Sequence, residues 1–194
     1  LTGPNLELAW HYLDISGLWK QLVPESNHGE RLARLTGPVS VALGWAALIE
    51  GVTRPQDIYR RFRFSRQEAE GCQDLLENEQ CFTRLEEMSV VSMKRFVRKS
   101  NFEEHLELHR ASYGESVAFS ALAAMRQQWS KDELWPPPLL NGEDLIGLGL
   151  EPGPAFRQIL NALEDAQLEG RVQTREEAVR LALSQRRGDV HPES

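Results

Sequence analysis

Cysteine is scarce in this chain. Cys72 and Cys81 are the only two in 194 residues, and no C-x-x-C pair occurs. That excludes a disulfide scaffold and the usual zinc spacing, and leaves buried thiols acting as small hydrophobes as the simplest reading. No apolar run approaches the roughly 18 to 20 residues that span a bilayer, so no membrane partner is expected. The first residues show no basic patch followed by an apolar stretch and a small-residue cleavage site, so a secretion signal is not expected either. The chain opens at Leu1 without methionine, which suggests a trimmed chain or a piece of a longer one. A cytoplasmic location is the corresponding expectation. Positive charge is also in deficit: 22 Lys and Arg stand against 29 Asp and Glu, a net charge of −7. A protein that coats nucleic acid with its whole surface is thereby excluded.

The positive charge that exists is blocked. Between Arg54 and Arg66 there are five arginines and one acid, Asp57, whereas Glu68 to Glu87 holds seven acids and one arginine. Lys94, Arg95, Arg98, Lys99 and Arg110 form a second basic group, interleaved with Glu103, Glu104 and Glu107. Any anion-binding surface must be a local patch on an acidic body.

Convincing alternation of apolar and polar residues is absent too, and Val90-Val91 is the one strand candidate. Helical signals are abundant instead. Residues 5–14 and 18–23 carry apolar side chains at helical spacing, split by Ser16-Gly17. Val39 to Ile49 is apolar on nearly every side, as in a helix buried all round, and Gly51 suits a left-handed cap. Thr53 with Gln56, Ser65 with Glu68, Ser100 with Glu103, Ser130 with Glu133 and Thr174 with Glu177 match the capping box, in which side chains satisfy the first free N–H groups of a helix. Phe102, Leu106, His109 and Tyr113, then Ala118, Leu122, Met125 and Trp129, predict two amphipathic helices broken near Gly114. The expected fold is all-α, a multi-helix array without significant sheet.

Prolines 136–138 cannot continue a helix, because each lacks an N–H and restrains its predecessor. They set the expected organisation: a helical domain over 1–134, a proline-rich linker over 135–140, a helical tail over 141–186 and a frayed end over 187–194. Within the tail, Asn141 can cap a short helix that Gly149 stops, and Gly153-Pro154 suits the start of a longer one with proline at its first position. Phe156, Ile159, Leu160 and Leu163 give that second helix its apolar face. A tight glycine-containing hairpin between helices leaves backbone N–H groups at a positive helix end, a seat for a phosphate, with Arg157 one turn in. Alternatively the glycines only make the turn and Arg157 is a solvated surface residue.

The run from Pro137 to Leu160, followed by Asp165-Ala-Gln-Leu-Glu-Gly170 and Thr174-Arg-Glu-Glu-Ala178, resembles the C-terminal region of bacterial tRNA nucleotidyltransferases and poly(A) polymerases. Arg61-Phe-Arg-Phe-Ser65, Met93-Lys-Arg-Phe96 and Phe102 to Ala111 are similar to the helical middle of that family. The resemblance runs from about Pro55 to Leu183 and implies neck, body and tail regions behind an N-terminal catalytic head. That head would use Mg²⁺, held by two carboxylates close in sequence, a Gly-Ser pair on phosphate, and ATP or CTP. This chain has no Asp-x-Asp and no Gly-Ser dipeptide, so the resemblance implies a non-catalytic piece without a cofactor of its own. Its implied partners are tRNA or another structured RNA and the catalytic domain. Two departures stand out. Relatives carry a His-Asp pair near the helix at Ala42–Ile49, where this chain reads Leu48-Ile-Glu-Gly51; and Ser112 replaces the Asp that tends to follow His-Arg-Ala.

The candidate RNA-contacting residues are Lys94, Arg95, Arg98, Lys99, Arg110, Gly153, Arg157 and Arg175. The four consecutive-turn cations would neutralise phosphates, or else form a solvated face paired with Glu103 and Glu104. Arg110 has Glu107 or Glu103 as a simple intrahelical partner, and Thr174 already serves as a cap next to Arg175. His105 and His109, four apart, lack a third metal ligand and read as buried, satisfied histidines. Arg60, Arg61 and Arg63 mix with Phe62 and Phe64 as stacking surfaces do, although core packing explains the two rings equally well. The five tryptophans read as packing residues. An RNA-binding module is the leading reading. A helical metal phosphohydrolase and a helical protein-interaction domain are the competitors, the first weakened by the missing His-Asp pair.

Overall fold

The computed structural model describes residues 5–26 and 29–188. Among them there is no strand. The helices are α1 (Leu6–Ile15), α2 (Leu18–Leu22), α3 (Glu30–Arg34), α4 (Val41–Ile49), α5 (Pro55–Arg61), α6 (Arg66–Asn78), α7 (Gln80–Thr83), a 3₁₀ turn at Leu85–Glu87, α8 (Val90–Val97), α9 (Phe102–Tyr113), α10 (Val117–Gln128), α11 (Lys131–Leu134), α12 (Gly142–Gly147), α13 (Pro154–Leu168) and α14 (Arg175–Gly188). The all-α expectation holds. Fraying expected at 187–194 lies outside the described residues from Asp189 on.

Two compact units divide the chain: Leu1–Glu87 with Lys99–Met125, and Met88–Arg98 with Arg126–Ser194. The division does not follow the proline segment, since α8 packs on α13 and so joins the C-terminal unit.

In the first unit, α4 is the central helix. Leu43, Gly44 and Ala46 to Ile49 are buried, and α3, α6 and α9 pack around them. The Ser40 hydroxyl accepts the Leu43 N–H at 3.1 Å to start it, and Gly51 at φ 84° ends it. The arginine–phenylalanine stretch after α5 has a local explanation. The Arg63 N–H reaches the Arg60 carbonyl and the Phe64 N–H reaches the Tyr59 carbonyl, the two bonds of a Schellman cap. Arg63 takes the left-handed position at φ 54°. Phe64 then lies 5.0 Å from the Tyr59 ring and 5.2 Å from Trp45, and Phe62 lies 4.6 Å from Trp45, so both rings pack against the core.

The second unit builds its core from Leu140, Leu145, Ile159, Leu163, Ala166, Val172, Ala178 and Ala182. The hairpin forms as its sequence predicts. The Asn141 side-chain oxygen accepts the Asp144 N–H at 3.0 Å and the Asp144 carboxylate accepts the Asn141 N–H at 2.8 Å at the start of α12. Gly149, at φ 78°, and Leu150 bond back to the carbonyls of Ile146 and Leu145, again a Schellman cap.

Boxes form at Ser65, Ser130 and Thr174. Those expected at Thr53 and Ser100 do not. Pro55 takes the first helical position and moves the cap of α5 to Arg54, in keeping with the preference of proline for that position. Asn101 is the cap of α9, and its amide is turned to Asp74 at 3.0 Å. Val90-Val91 is helical, opened by Ser89, which accepts the Ser92 N–H at 3.1 Å. Four of the tryptophans are buried or partly buried, but Trp135 is exposed with the Arg126 guanidinium 5.1 Å from its ring centre. Cys72 is buried and Cys81 only partly so.

Candidate nucleic-acid interface

In the second unit the candidate cations other than Arg157 have internal partners. On α8, Val91, Lys94 and Val97 share the buried side at three-residue spacing, and Lys94 is only 8% exposed. Its ammonium donates to the Leu168 carbonyl at 2.8 Å, at the carboxy end of α13, and lies 5.6 Å from the Trp129 ring centre. A cation there meets the negative end of the helix dipole. The spacing of Val91, Lys94 and Val97 was the signal in the sequence for this burial. Arg95 donates to Glu164 Oε2 at 2.7 Å and Arg98 to Glu164 Oε1 at 2.7 Å, with Arg98 also on the Leu134 carbonyl at 3.2 Å. Burial raises the affinity of the Glu164 carboxyl for a proton, but the two guanidiniums outweigh it and hold the carboxyl below its ordinary range.

Arg175, at the start of α14, bonds Asp144 and the Leu139 carbonyl, and the guanidinium holds the Asp144 carboxyl below its usual range. Gly153 is extended at φ 178°, a conformation open to any residue. A Cβ there would meet only the Glu151 carbonyl oxygen, at 4.0 Å. Arg157 is exposed on the first turn of α13 and has no ion pair among the described residues. It shares a stripe with Asn161 and Glu164 at i, i+4 and i+7, so about 10 Å along the helix separates Arg157 from the carboxylate that gathers Arg95 and Arg98.

The first unit holds the other two candidates. Lys99 pairs with Asp74. Arg110 donates to Glu107 at 2.7 and 2.8 Å and to the Arg34 carbonyl at 2.5 Å.

Both histidines of α9 are buried, as expected. The His109 ring stacks on Phe82 at 4.1 Å and bonds Glu79 through Nδ1 at 2.5 Å and Ser116 through Nε2 at 2.8 Å. His105 donates Nε2–H to Asp74 at 3.1 Å as a neutral imidazole. Burial pushes its pKa from 6.5 down to about 4, against the pull of Asp74. The folded state therefore resists a proton that the unfolded chain accepts. Stability should fall as pH drops through the window from 6.5 to about 4, by about 3 kcal/mol from this group. Urea unfolding across that range should show His105→Gln with a shallower loss than the parent. Equal slopes would refute the assignment.

Glu50, in the stretch where the resemblance leads one to expect a His-Asp pair, is committed to protein donors. It accepts from Arg31 at 2.5 Å, Ser112 at 2.6 Å and Tyr113 at 2.9 Å. Among the described residues no group of three or more His, Cys, Asp or Glu could hold a metal ion, and no helix is long and apolar enough to cross a membrane.

Comparison with known proteins decides the family. Residues 39–183 match the family described as tRNA nucleotidyltransferase domain 2. The chain belongs to this family. A CC-adding tRNA nucleotidyltransferase of Thermus thermophilus is 49% identical over 59 residues, which is 30% of this chain and 14% of that enzyme. The matched stretch is thus a small part of its relative. No solved structure matches the chain. The resemblance seen at the hairpin and at α9 falls within the matched residues, and this tRNA nucleotidyltransferase domain places its hairpin entirely within the second unit.

Proposed function

We propose that this chain is the RNA-gripping helical part of a tRNA nucleotidyltransferase. In this reading it binds tRNA and positions the RNA 3′ end for nucleotide addition, and the catalytic head, with its Mg²⁺ and ATP or CTP, is another part of the parent protein. The observation that carries the reading is the side of α13 on which exposed Arg157 stands two turns from the Arg95–Glu164–Arg98 cluster. A phosphate can exchange for a carboxylate on a guanidinium, because each presents two anionic oxygens that accept paired N–H bonds. Gly153 adds to it. The fold leaves room for a Cβ there, and its absence keeps the amino end of α13 open to an RNA backbone. Lys94 has no part in the grip, since its ammonium is enclosed; Lys99 and Arg110 belong to the other unit.

Titration of labelled tRNA by fluorescence anisotropy tests the reading. With three or four phosphate contacts, affinity should fall about 40- to 150-fold between 50 and 200 mM salt. Arg157→Ala should weaken binding and reduce the salt slope by about one contact without changing the melting temperature, whereas Arg98→Ala should lower both affinity and stability. Binding at low salt no better than that of a neutral carrier protein overturns the proposal.

A further inference from the structure

Within the second unit, the proline segment and α13 leave a groove of about 410 Å³ between them. Its floor is Leu140 and Leu163, both buried, and its walls are Pro136 and Pro138 facing Leu160 of α13. Small-ligand sites have this size and this make-up, mostly apolar with a few placed polar groups. Three polar side chains of the lining are already committed. Gln167 donates to the Pro137 carbonyl at 2.9 Å and pins the proline segment to α13. Asn141 caps α12, and Glu164 accepts from Arg95 and Arg98. The fourth is not committed: the Asn161 amide is exposed on the α13 wall and has no partner among the described residues. Gly142 also lines the groove. It is the first residue of α12, and a Cβ there would meet nothing within 4 Å, so the missing side chain leaves the groove open.

We propose that this groove receives one unpaired base of the RNA, with its neighbouring phosphates on Arg157 and on the Arg95–Arg98 pair. The inference rests on the RNA-gripping reading above and adds to it a place for a base. Position along α13 carries it. Asn161 stands about 6 Å along the helix from Arg157 and about 4.5 Å from Glu164, so guanidiniums flank the groove on both sides of the free amide. A nucleotide chain repeats that order, an anion, then a flat ring with a polar edge, then an anion. Proline and leucine side chains offer apolar contact to the ring faces, and the amide offers one acceptor and two donors to the edge. A base inside a helix has neither faces nor edge to spare, and proteins that read RNA sequence take bases that have left the stack. An apolar peptide side chain is the poorer occupant, because it leaves the amide and the flanking cations unused. The one carboxylate of the lining, Glu164, is spanned by two guanidiniums, and exposed Glu143 lies outside the lining. All of these residues fall within 39–183, the part matched by the family.

Anisotropy titration of the full chain at low and high salt tests the proposal, with three probes: labelled tRNA, an unpaired RNA octamer, and the blunt duplex of the same sequence. Gly142→Leu and Asn161→Ala should each weaken tRNA binding about 5- to 10-fold and keep the parent's salt slope, because a base contact releases no counterion. Neither should lower the melting temperature, since a side chain at 142 enters open space and Asn161 faces solvent. Asn161→Ala carries the test alone if Gly142→Leu unfolds. Both variants should lose the octamer to the same degree and bind the duplex as the parent does. Equal binding of tRNA by parent and variants overturns the groove and leaves the RNA-gripping reading standing. A loss that extends equally to the duplex, or comes with a shallower salt slope, also overturns it, because the contact is then to phosphate. A parent that does not bind tRNA overturns both readings together.

Discussion

Replacing Glu50 with alanine is expected to destabilise the first unit by about 3–5 kcal/mol, the range for removing one member of a buried ion pair. The side chains of Arg31 and Glu50 are 11 and 10% exposed, so solvent cannot compensate the guanidinium left behind. Three donors lose their acceptor at once: Arg31, Ser112 and Tyr113. Burial, with the bond to Glu50 second, pushes the Tyr113 hydroxyl up to about 12, so this phenol is a donor throughout the neutral range. The Arg31 guanidinium carbon also lies 5.8 Å from the Tyr113 ring centre. Removing that hydroxyl alone in Tyr113→Phe should cost about 1 kcal/mol. The double variant Arg31→Met with Glu50→Leu should recover most of the loss, because no charge is then left unpaired. Urea unfolding of the single and double variants closes the cycle. A Glu50→Ala protein within 1 kcal/mol of the parent would falsify the network's role.

The same network ties together the two positions singled out in the sequence. The Ser112 hydroxyl donates to Glu50 at 2.6 Å, and an aspartate at position 112 beside Glu50 would set two carboxylates against each other. Sequence alone presented them as two separate losses of family residues. Their pairing spans 62 positions, and no local pattern carries such a distance.

The limits of legibility are similar elsewhere. Local backbone chemistry was readable: Gly51 and Gly149 at positive φ, Pro154 at the first turn of α13, and the box at Ser130 each follow from neighbours within four residues. Competition between neighbours was harder to see, as where Pro55 displaces the Thr53 box. Membership of α8 in the C-terminal unit rests on contacts with α13, some 70 residues on, and its helical pattern is silent about which unit it serves. Candidate cations were found by composition, but apart from Glu107 on Arg110 their partners were not. Glu164 lies 66 and 69 residues from Arg98 and Arg95, so cations whose expected partners were phosphate or Glu103 and Glu104 are folded onto a distant acid instead. Only Lys94 gave notice, by sharing the apolar phase of Val91 and Val97.

That neutralisation yields the most discriminating prediction about RNA. If Arg95 and Arg98 face phosphate in the complex, Glu164 competes with RNA for them, and removing its charge should tighten binding. Glu164→Gln is expected to raise tRNA affinity about 3- to 10-fold at moderate salt and to steepen the salt dependence, as Arg98 loses its carboxylate partner and Arg95 is left with Asp165 alone. The fold should lose little, because the Arg95 and Glu164 side chains are 39 and 37% exposed, and ion pairs of that exposure contribute about 0–1 kcal/mol. Affinity and stability thus move in opposite directions, which a purely structural role for Glu164 does not produce. Deleting any acid from a −7 chain favours RNA slightly, so Glu169→Gln, which frees only Arg171 in the same unit, is the control. A gain confined to Glu164→Gln places phosphate on the α8–α13 side of the unit. An equal gain in both variants, or a loss in Glu164→Gln, removes Arg95 and Arg98 from the interface and leaves Arg157 to account for binding alone.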